Sequence, residues 1–328
     1  LFRSPLSVYA TDGEFGISAK TVPIQTVEMN EEPVYINGPK LHQMLNKASS
    51  DETRIQSEEG KYWIMCGADY ELNAVDVVFP EPLINGMETL ATEVPAPDLH
   101  GAISYVTSAA STVDGKYAMQ SMLVDMTDDG MKFVCTDGKR IAVASFKLPH
   151  EMSGKQILVP IRAAKAIASL CKNTTDHIKI ECNKNHIQFS SSEFEFWTRQ
   201  VEGRFPPYEK LLTGNKPHTV MLDVNALRDC VSQASVCCDK ESQKVTLKFM
   251  AGRLHVSAES SKGKSTVEYP GVTSYTENKS MKIDVNPEYL IDSLSGLDIE
   301  YISLKFEAHD KPIVFDGCDN TYLIVPYA

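Results

Sequence analysis

The chain of 328 residues lacks the common signatures of catalysis. It contains no GxSxG nucleophile elbow, no HExxH zinc motif, no phosphate-binding loop and no GxGxxG dinucleotide fingerprint. Its eight histidines are dispersed, and none forms a ligand pair at the helical spacing that a metal site uses. We therefore expect no catalytic residue, no metal site and no cofactor, and the sequence favours a binding protein over an enzyme.

The chain also lacks the closely paired cysteines of a zinc site or a disulfide framework. No CxxC occurs, and the eight cysteines are spread over the whole chain, mostly within apolar stretches. A free cysteine in such a stretch behaves as a small hydrophobic residue. We expect reduced and mostly buried thiols at Cys66, Cys135, Cys171, Cys182, Cys230, Cys237, Cys238 and Cys318.

Long hydrophobic runs are absent as well. No stretch reaches the roughly 18 apolar residues that a membrane helix needs, and the first residues, LFRSPLSVYA, lack the features of a secretory signal. With 42% hydrophobic and 23% charged residues, the composition is typical of a folded protein with two or three domains. We expect a cytoplasmic protein with no membrane partner.

Positive charge is in short supply, because 32 Lys and Arg face 44 Asp and Glu and leave a net charge of −12. A protein that coats DNA over its whole outer surface is usually basic, so this charge argues against that class. A local basic face on an otherwise acidic protein remains compatible with the composition.

An internal repeat is the strongest pattern in the chain. Three segments, starting at Val34, Ile157 and Lys282, each contain an apolar stretch, a proline near a helix start, a short amphipathic helix, a turn and an alternating hairpin. The equivalent leucines of the three helices are spaced by 125 and 124 residues. Because several elements recur at one spacing, the chain is predicted to contain three copies of one structural unit.

The other half of the unit also repeats. Alternating strands flank a turn with a glycine at Gly13, Gly130 and Gly252. An amphipathic helix precedes this hairpin in the second and third copies, from Pro97 and from Asn225. The first copy begins at its hairpin, so we expect about 25 residues of the repeat, including its first helix, to be missing there.

These patterns predict an α+β fold of three repeated domains. Each domain has antiparallel sheets with two helices on one face, and the first domain lacks its first helix. Proline and glycine cluster in ATEVPAPD and TGNKPH between the patterned segments. The predicted domains are therefore residues 1–92, 93–216 and 217–328.

One helical face in the second copy is basic. Arg162, Lys165, Ser169 and Lys172 follow helical spacing on one side, and Ala163, Ala166, Ile167 and Leu170 are predicted to form the opposite apolar side. Such a face suits contact with phosphates. A solvated helix surface without a partner is the alternative interpretation.

The other copies differ in charge. The helix of the first copy carries Lys40 and Lys47 at the positions of Lys165 and Lys172. The helix of the third copy instead carries acidic residues, Glu288 and Asp292. The sequence thus predicts an uneven distribution of phosphate contacts over the three copies.

Four segments together resemble one known family. They are TDGKRIAVAS from Thr136, ILVPIRAAKAIASL from Ile157, EGRFPPYEKLL from Glu202 and the C-terminal TYLIVPYA. The combination is similar to the bacterial DNA polymerase sliding clamp, the beta subunit of the replicative DNA polymerase III holoenzyme. The resemblance implies a non-catalytic processivity factor whose three-domain chains form a head-to-tail homodimer. This six-domain ring encloses duplex DNA, with helices lining the hole and sheets outside.

The resemblance also implies which residues face DNA and which bind partners. The DNA-facing residues would be Lys40, Lys47, Arg162, Lys165 and Lys172. The polymerase catalytic subunit and the clamp loader would each insert a short peptide motif into a pocket between the second and third domains. The matching pocket positions are Met119, Thr136, Gly138, Lys139, Arg140, Ile141, Pro206, Leu211, Pro312, Leu323, Val325 and Tyr327.

Within that pocket, residue type separates two roles. Met119, Ile141, Leu211, Leu323 and Val325 would form apolar walls, and Lys139 and Arg140 would form a polar rim. The alternative interpretation of these positions is strand core and chain terminus. The ring interface implied by the resemblance pairs two edge strands, with Tyr70 and Leu72 on one side and Val236 and Cys237 on the other.

Two further hypotheses stay open on the sequence alone. One is a diverged clamp-like scaffold that binds partner peptides without tightly enclosing DNA, and the acidic helix of the third copy is its evidence. The other is an enzyme that uses Cys237 and Cys238 or the turn at Thr136 and Asp137. No nucleophile in the chain has a base at a recognisable spacing, which disfavours the enzyme.

Overall fold

A computed structural model gives the structure of this chain. It describes residues 6–21, 35–58, 61–73, 92–111, 117–147, 154–183, 185–214, 216–239, 243–261, 263–277 and 279–327. The chain divides into two compact units, residues 1–85 with 193–195, and residues 86–192 with 196–328.

The first unit contains a hairpin, one helix and a small sheet. Its elements are β1 (Leu6–Thr11), β2 (Phe15–Thr21), α1 (Gly38–Asn46), β3 (Arg54–Glu58), β4 (Lys61–Met65) and β5 (Asp69–Asn73). The β1–β2 pair is antiparallel, and Gly13 in its turn has a φ of +90°, which favours glycine. Strands β3, β4 and β5 form an antiparallel sheet in which β5 is an outer strand.

The second unit begins with ten elements and a short 3₁₀ turn at Tyr117–Gln120. The elements are β6 (Thr92–Pro95), α2 (Ala96–Thr107), β7 (Ser121–Thr127), β8 (Gly130–Thr136), β9 (Arg140–Phe146), β10 (Lys155–Pro160), α3 (Ile161–Cys171), β11 (His177–Cys182), β12 (His186–Ser190) and β13 (Phe194–Arg199).

After the four-residue helix α4 (Glu209–Leu212), ten more elements follow in the same order. They are β14 (His218–Asp223), α5 (Val224–Ser235), β15 (Val245–Met250), β16 (Arg253–Ser260), β17 (Gly263–Glu268), β18 (Met281–Val285), α6 (Pro287–Leu294), β19 (Tyr301–Phe306), β20 (Ile313–Gly317) and β21 (Asn320–Ile324). The repeat predicted for the second and third copies is therefore confirmed, element by element.

Helix starts explain why these short segments become helices. Asn37, Asp223 and Asn286 each accept a hydrogen bond from a backbone N–H in the first turn of the helix that follows. Proline occupies the first turn of α1, α2 and α6, where its missing N–H leaves no hydrogen bond unmade. These prolines are the ones that the sequence predicts at helix starts.

The sheets of the second unit are antiparallel, as predicted for an α+β fold. One has the order β13-β12-β11-β6 and another the order β17-β16-β15-β18. The largest runs β10-β7-β8-β9-β21-β20-β19-β14 and combines four strands from each copy. Among the described strands, the β9–β21 pair joins its two halves, and Ile141 lies opposite Leu323 there.

The helices pack in pairs on one side of these sheets. Helix α2 contacts α3, β8 and β9, and α5 contacts α6, β16 and β17. His100 of α2 is hydrogen-bonded through Nδ1 to the carbonyl oxygen of Ala168 in α3, at 2.7 Å. The apolar cores lie between the helix pairs and the sheets, with Ile103, Phe133 and Phe249 fully buried.

The buried side of α3 differs slightly from the prediction. Ala163 and Ile167 are buried as expected, but Ala166 and Leu170 are only half-buried. Ala164, Ala168 and Cys171 are buried in their place, because α2 packs along that side of α3. Contact with a second helix cannot be inferred from the spacing of one helix alone.

Five of the predicted buried thiols are indeed buried, at Cys66, Cys135, Cys171, Cys182 and Cys230. Cys237 and Cys238 are half-buried, and Cys318 is exposed in the turn between β20 and β21. All eight cysteines are free. Within the described ranges, no helix combines the length and hydrophobicity needed to cross a membrane.

Candidate functional site

Helix α3 presents a basic surface. Arg162, Lys165, Ser169 and Lys172 are all exposed along one side of the helix, and the opposite side is buried. The helix sequence IRAAKAIASLC contains no acidic residue. The exposed side therefore concentrates positive charge in a chain whose net charge is −12.

Helix α1, in the first unit, carries the two other predicted DNA-facing lysines. Lys40 lies in its first turn and Lys47 is its C-terminal cap, and both are exposed. No residue of α1 is buried among the described residues. Both lysine side chains are thus accessible to solvent.

Helix α6 is acidic by sequence, but one of its carboxylates is paired with an arginine of strand β9. Asp292 forms an ion pair of 2.5 Å with Nη1 of Arg140. Glu288 is exposed, and its Oε1 accepts a hydrogen bond from Nε2 of Gln243 at 3.3 Å. One of the two acidic residues of α6 therefore pairs with a residue of the second copy, and the other remains exposed.

The predicted partner pocket lies where the two halves of the large sheet meet. On the side away from the helices, a buried cluster spans the joint, and we refer to it as the apolar floor. Its members are Leu123, Val134, Ile141, Val143, Leu158, Phe205, Tyr208, Val314 and Leu323. Ile141 and Leu323, predicted as pocket walls, are 6% and 1% exposed, so they pack within this floor rather than on an open surface.

Residues 201–212 lie over the apolar floor and form what we call the covering segment. Its Val201 N–H donates to the carbonyl of Leu158 at 2.8 Å, and Phe205 packs edge-on against Tyr208 at 6.4 Å. Tyr208, itself a member of the apolar floor, donates a hydrogen bond from its hydroxyl to Asp125. Burial, together with Asp125, raises the pKa of Tyr208 above its ordinary value. The segment thereby holds Pro206 and Leu211 at the surface.

The C-terminal residues form the other side of this surface. The N–H of Val325 donates to the carbonyl of Lys139 at 2.8 Å, and that of Tyr327 donates to the carbonyl of Asp284 at 2.8 Å. Leu211, Val325 and Tyr327 remain 48%, 44% and 39% exposed. We call these three exposed residues, which were predicted for the pocket, the partner groove; Tyr327 lies toward the start of α6, where its hydroxyl donates to the carbonyl of Gln243 at 3.4 Å.

The turn from Thr136 to Arg140 closes the groove at one end. Thr136 Oγ1 donates to the carbonyl of Arg140 at 2.6 Å, and Asp137 Oδ1 accepts the N–H groups of Lys139 and Arg140. Gly138 has a φ of +89°, and a Cβ placed there would lie 3.2 Å from Cε of Met119. The polar groups of Thr136 and Asp137 thus hold a turn, which disfavours the hypothesis of a catalytic Thr136–Asp137 pair.

Arg140, which was predicted for the polar rim, is largely buried by its contacts with Asp137 and Asp292. Because side chains alternate along a strand, Arg140 points to the helix side of the sheet while Ile141 points to the apolar floor. Its guanidinium contacts Asp137 and Asp292 and is only 12% exposed. Lys139 remains exposed beside the groove, and Pro312 is half-buried at the start of β20.

The vicinal cysteines show no sign of an activated nucleophile. Cys238 donates its thiol to the carbonyl of Lys244 at 3.2 Å, and burial raises the pKa of that thiol. A raised pKa favours the thiol over the reactive thiolate. No cluster of metal-ligating side chains occurs among the residues that the structure describes.

The predicted interface residues lie in separate units, each beside an outer strand. Tyr70 and Leu72 are half-buried on β5. Val236 is 82% exposed just after α5, and Cys237 follows it. The end of α5 is tied to the outer strand β17, because Ser265 Oγ donates to the carbonyl of Ala234 at 2.6 Å.

Several residues that shape the groove were not among the predicted site residues. Asp125, Phe205 and Tyr208 hold the covering segment, and Lys216 donates through Nζ to carbonyl oxygens of Leu211, Leu212 and Gly214 at the end of α4. The aromatic pair was visible in the motif GRFPPY. The role of Asp125 had no signal in the sequence, since its partner Tyr208 is 83 residues away along the chain.

Comparison with known proteins identifies a consistent set of relatives. Residues 93–207 match the family model described as DNA polymerase III beta subunit, central domain, and residues 209–326 match that of its C-terminal domain. The beta sliding clamp of Pseudomonas putida is 25% identical over 327 residues, covering 98% of this chain and 88% of that protein. The beta sliding clamp of Haemophilus influenzae is 20% identical over 327 residues, with the same shares covered.

Solved structures give the same fold. A crystal structure of the DNA polymerase sliding clamp from Pseudomonas aeruginosa has a TM-score of 0.88 at 22% identity, covering 100% of this chain and 90% of that chain. A sliding clamp from the same organism bound to griselimycin has a TM-score of 0.88 at 22% identity, covering 99% and 88%. The two matched family domains together span well over half of the chain.

Proposed function

The chain belongs to the family of bacterial DNA polymerase III beta subunits, the beta sliding clamps, and we propose that it is a DNA sliding clamp. In this role two copies close head to tail into a ring that encloses duplex DNA. The ring tethers the replicative polymerase to its template without any covalent chemistry. The chain is divided for this purpose into domains 1–92, 93–216 and 217–328, and it acts in the cytoplasm, where its DNA lies.

The observation that carries this proposal is the exposed basic side of α3. Arg162, Lys165 and Lys172 offer phosphate contacts without any acidic residue on the same helix. Phosphate attraction of this kind is independent of base sequence, so it lets a protein move along the duplex. The acidic remainder of the chain limits the total attraction, which suits a ring that slides.

Ring closure is proposed to use outer strands. Among the strands that the structure describes, β5, with Tyr70 and Leu72, and β17 are outer strands of their sheets, so β5 of one copy would pair with β17 of the next. Main-chain hydrogen bonds between such strands give an extended sheet, and Val236 and Cys237 add apolar contact beside it. Both outer strands belong to the same chain, so head-to-tail closure needs only one kind of interface.

The partner groove is proposed to bind short peptide motifs of the polymerase catalytic subunit and the clamp loader. Its exposed residues Leu211, Val325 and Tyr327 are apolar or aromatic, and Lys139 adds a charge at one end. An apolar surface above a rigid floor, with few polar groups around it, is typical of peptide recognition. Griselimycin is bound by the clamp of Pseudomonas aeruginosa, and we propose to test whether it binds this surface.

The decisive experiment compares retention on two forms of one DNA. The protein is assembled on nicked circular DNA with the clamp loader of the same organism, and half of the sample is then cut once. An enclosing ring stays on the circle and slides off the linear form. Equal retention on both forms would support the diverged scaffold that binds partners without enclosing DNA, and would refute the clamp.

A further inference from the structure

A buried polar cluster lies on the helix side of the β9–β21 joint. Tyr322 of β21 is fully buried, and its ring meets that of Tyr105 of α2 edge-on at 5.7 Å. Tyr105 donates its hydroxyl to the carbonyl of Ser293 in α6 at 3.4 Å. These contacts connect α2 of the central half with α6 of the C-terminal half.

Arg140 supplies the positive charge of this cluster. Its Nε lies 2.9 Å from Oδ2 of Asp137, and its Nη1 lies 2.5 Å from Oδ2 of Asp292 and 3.2 Å from the hydroxyl of Tyr322. The guanidinium carbon also lies 4.2 Å from the ring centre of Tyr289. Since the arginine side chain is only 12% exposed, water and salt screen these ion pairs less than surface pairs.

The position of Arg140 couples the two faces of the joint. Arg140 and Ile141 are neighbours on β9 and point to opposite faces, one to α6 and the other to the apolar floor. In the part of the chain that the structure describes, the β9–β21 pair joins the two halves of the large sheet. A close-packed joint of this kind transmits a shift on one face to the other.

The walls of the partner groove come from both halves. Leu211 belongs to the covering segment of the central half, and Val325 follows β21 in the C-terminal half. Their separation therefore depends on the angle between the halves. Outside the apolar floor, the contacts of Arg140 with α6 help to hold that angle, together with the contacts of Tyr105 with Ser293 and Tyr322.

We propose that Arg140 is a positioning residue for partner binding: its ion pair with Asp292, on the helix side of the sheet, holds the two groove walls at the spacing that a partner peptide needs. This inference rests on the proposed clamp function. It differs from the role implied by the family resemblance, in which Arg140 would touch the peptide itself.

The test uses a double-mutant cycle in the full chain. The variants are Arg140→Met, Asp292→Asn and the double variant, and the probe is the polymerase catalytic subunit of the same organism. We expect each single variant to weaken binding about tenfold and the double variant to be no weaker than Arg140→Met alone. Asp298→Asn, a change at an exposed aspartate beyond the end of α6, serves as the matched control and should leave the affinity unchanged.

The Asp292→Asn variant separates the positioning role from direct contact. It is isosteric and changes a residue of α6 on the helix side of the sheet, so a loss of affinity in a variant that remains folded and dimeric at the assay temperature supports positioning. Normal affinity in Asp292→Asn, with loss only in Arg140→Met, would overturn the proposal and indicate direct contact with the peptide. Arg140→Lys retains the positive charge but lacks the separate nitrogens with which arginine contacts Asp137 and Asp292. We therefore expect its affinity for the polymerase to lie between that of Arg140→Met and that of the wild type.

The proposed function and this inference fail in different ways. If the wild-type protein does not bind the polymerase, the function in partner tethering is refuted, whatever the variants do. If the wild type binds and the two single changes are additive, only the positioning role of Arg140 is refuted. Melting temperature is measured on every variant, so that a change in binding is not confused with a loss of folding.

Discussion

The hydroxyl of Tyr208 donates a hydrogen bond of 2.7 Å to Oδ2 of Asp125, a carboxylate that is only 5% exposed. The other oxygen of Asp125 accepts a hydrogen bond from Nε2 of Gln156 at 3.2 Å. Tyr208 is the end of the GRFPPY motif, so this bond fastens the covering segment to strand β7. The place of Leu211 beside the groove depends on it.

Replacing Tyr208 with Phe should therefore loosen the covering segment. The change leaves a buried carboxylate oxygen without its donor, which costs about 1 to 3 kcal/mol. We expect this loss in the free energy of unfolding measured with urea, together with weaker binding of the polymerase. Tyr9→Phe, at a half-buried position in the first unit, is the control and should keep polymerase binding. An unchanged unfolding curve in Tyr208→Phe would show that the bond contributes nothing.

The same tyrosine predicts a response to alkaline pH. Burial raises the pKa of Tyr208 in the folded chain, whereas in the unfolded chain it titrates near its ordinary value of about 10. Above that pH the unfolded state loses the proton that the folded state keeps, so stability falls as pH rises. The wild type should lose more stability than Tyr208→Phe between pH 9 and pH 11, on the order of 1 kcal/mol. Parallel curves for the two proteins would contradict this assignment.

Gly138 should tolerate no side chain. Its φ of +89° strains an L-residue, and a Cβ there would lie 3.2 Å from Cε of Met119. We expect Gly138→Ala to destabilise the chain by about 1 to 2 kcal/mol. Gly101, in the middle of α2, meets nothing within 4 Å, so Gly101→Ala should instead stabilise by up to about 1 kcal/mol. Thermal melts of both variants check the opposite signs, and two shifts of the same sign would refute the argument.

Loss of α3 lysines should reduce the salt dependence of DNA binding. Each phosphate contact contributes about 0.9 to the slope of log affinity against log salt. Lys165→Ala with Lys172→Ala should thus lower the slope by up to about 1.8, as measured by fluorescence anisotropy on a short duplex. Lys279→Ala removes an exposed lysine away from the proposed DNA face and is the control. If the control lowers the slope equally, the basic side of α3 is not the DNA-facing surface.

A charge at Val236 should prevent ring closure. This side chain is 82% exposed in one chain and is proposed to become covered in the dimer. We expect Val236→Asp to shift the mass in light scattering from about 73 kDa, twice the chain's 36.4 kDa, toward that of one chain. Val272→Asp, at a site that is 90% exposed, should remain dimeric. A dimeric Val236→Asp would place the interface elsewhere.

Leu211 offers a test of the groove that does not disturb the fold. Because it is 48% exposed, Leu211→Ser should leave the melting temperature within about 1 °C. We expect it to weaken griselimycin and polymerase binding about tenfold, as for an anchor in a peptide groove. Met221→Ser, at a similarly exposed position of 53%, should bind both normally. Full binding by Leu211→Ser would exclude this surface as the peptide site.

Much of the fold followed from local patterns. Hairpins were predicted from the alternation of apolar and polar residues around Gly13, Gly130 and Gly252. Helices were predicted from prolines at their starts and from the spacing of apolar residues. The structure contains these hairpins and helices. The exposed side of α3 was also predicted, because helical spacing alone decides which residues share a side. The burial of Ala164 and Ala168 was not predicted, since it depends on the packing of α2.

The candidate site was predictable only in part. Leu211 and Val325 are exposed as groove residues need to be, whereas Ile141 and Leu323 pack into the apolar floor. The sequence places Arg140 next to Ile141. It does not show that the two side chains lie on opposite faces of a sheet that the second and third repeats of the chain form together. The pairing of β9 with β21 joins residues 140–144 to 320–324, and no local pattern encodes a contact over that distance.

By itself, the sequence determined the repeated unit, the antiparallel α+β class and the absence of common catalytic motifs, because turns, helix starts and side-chain periodicity act over a few residues. Only the tertiary structure decided that Asp292 neutralises Arg140 and that Tyr208 is bound to Asp125. These partners are distant along the chain, and their charges and hydrogen bonds meet only after packing brings them together. The neutralisation of Asp292 also shows why an acidic helix in the sequence need not be an acidic surface in the protein.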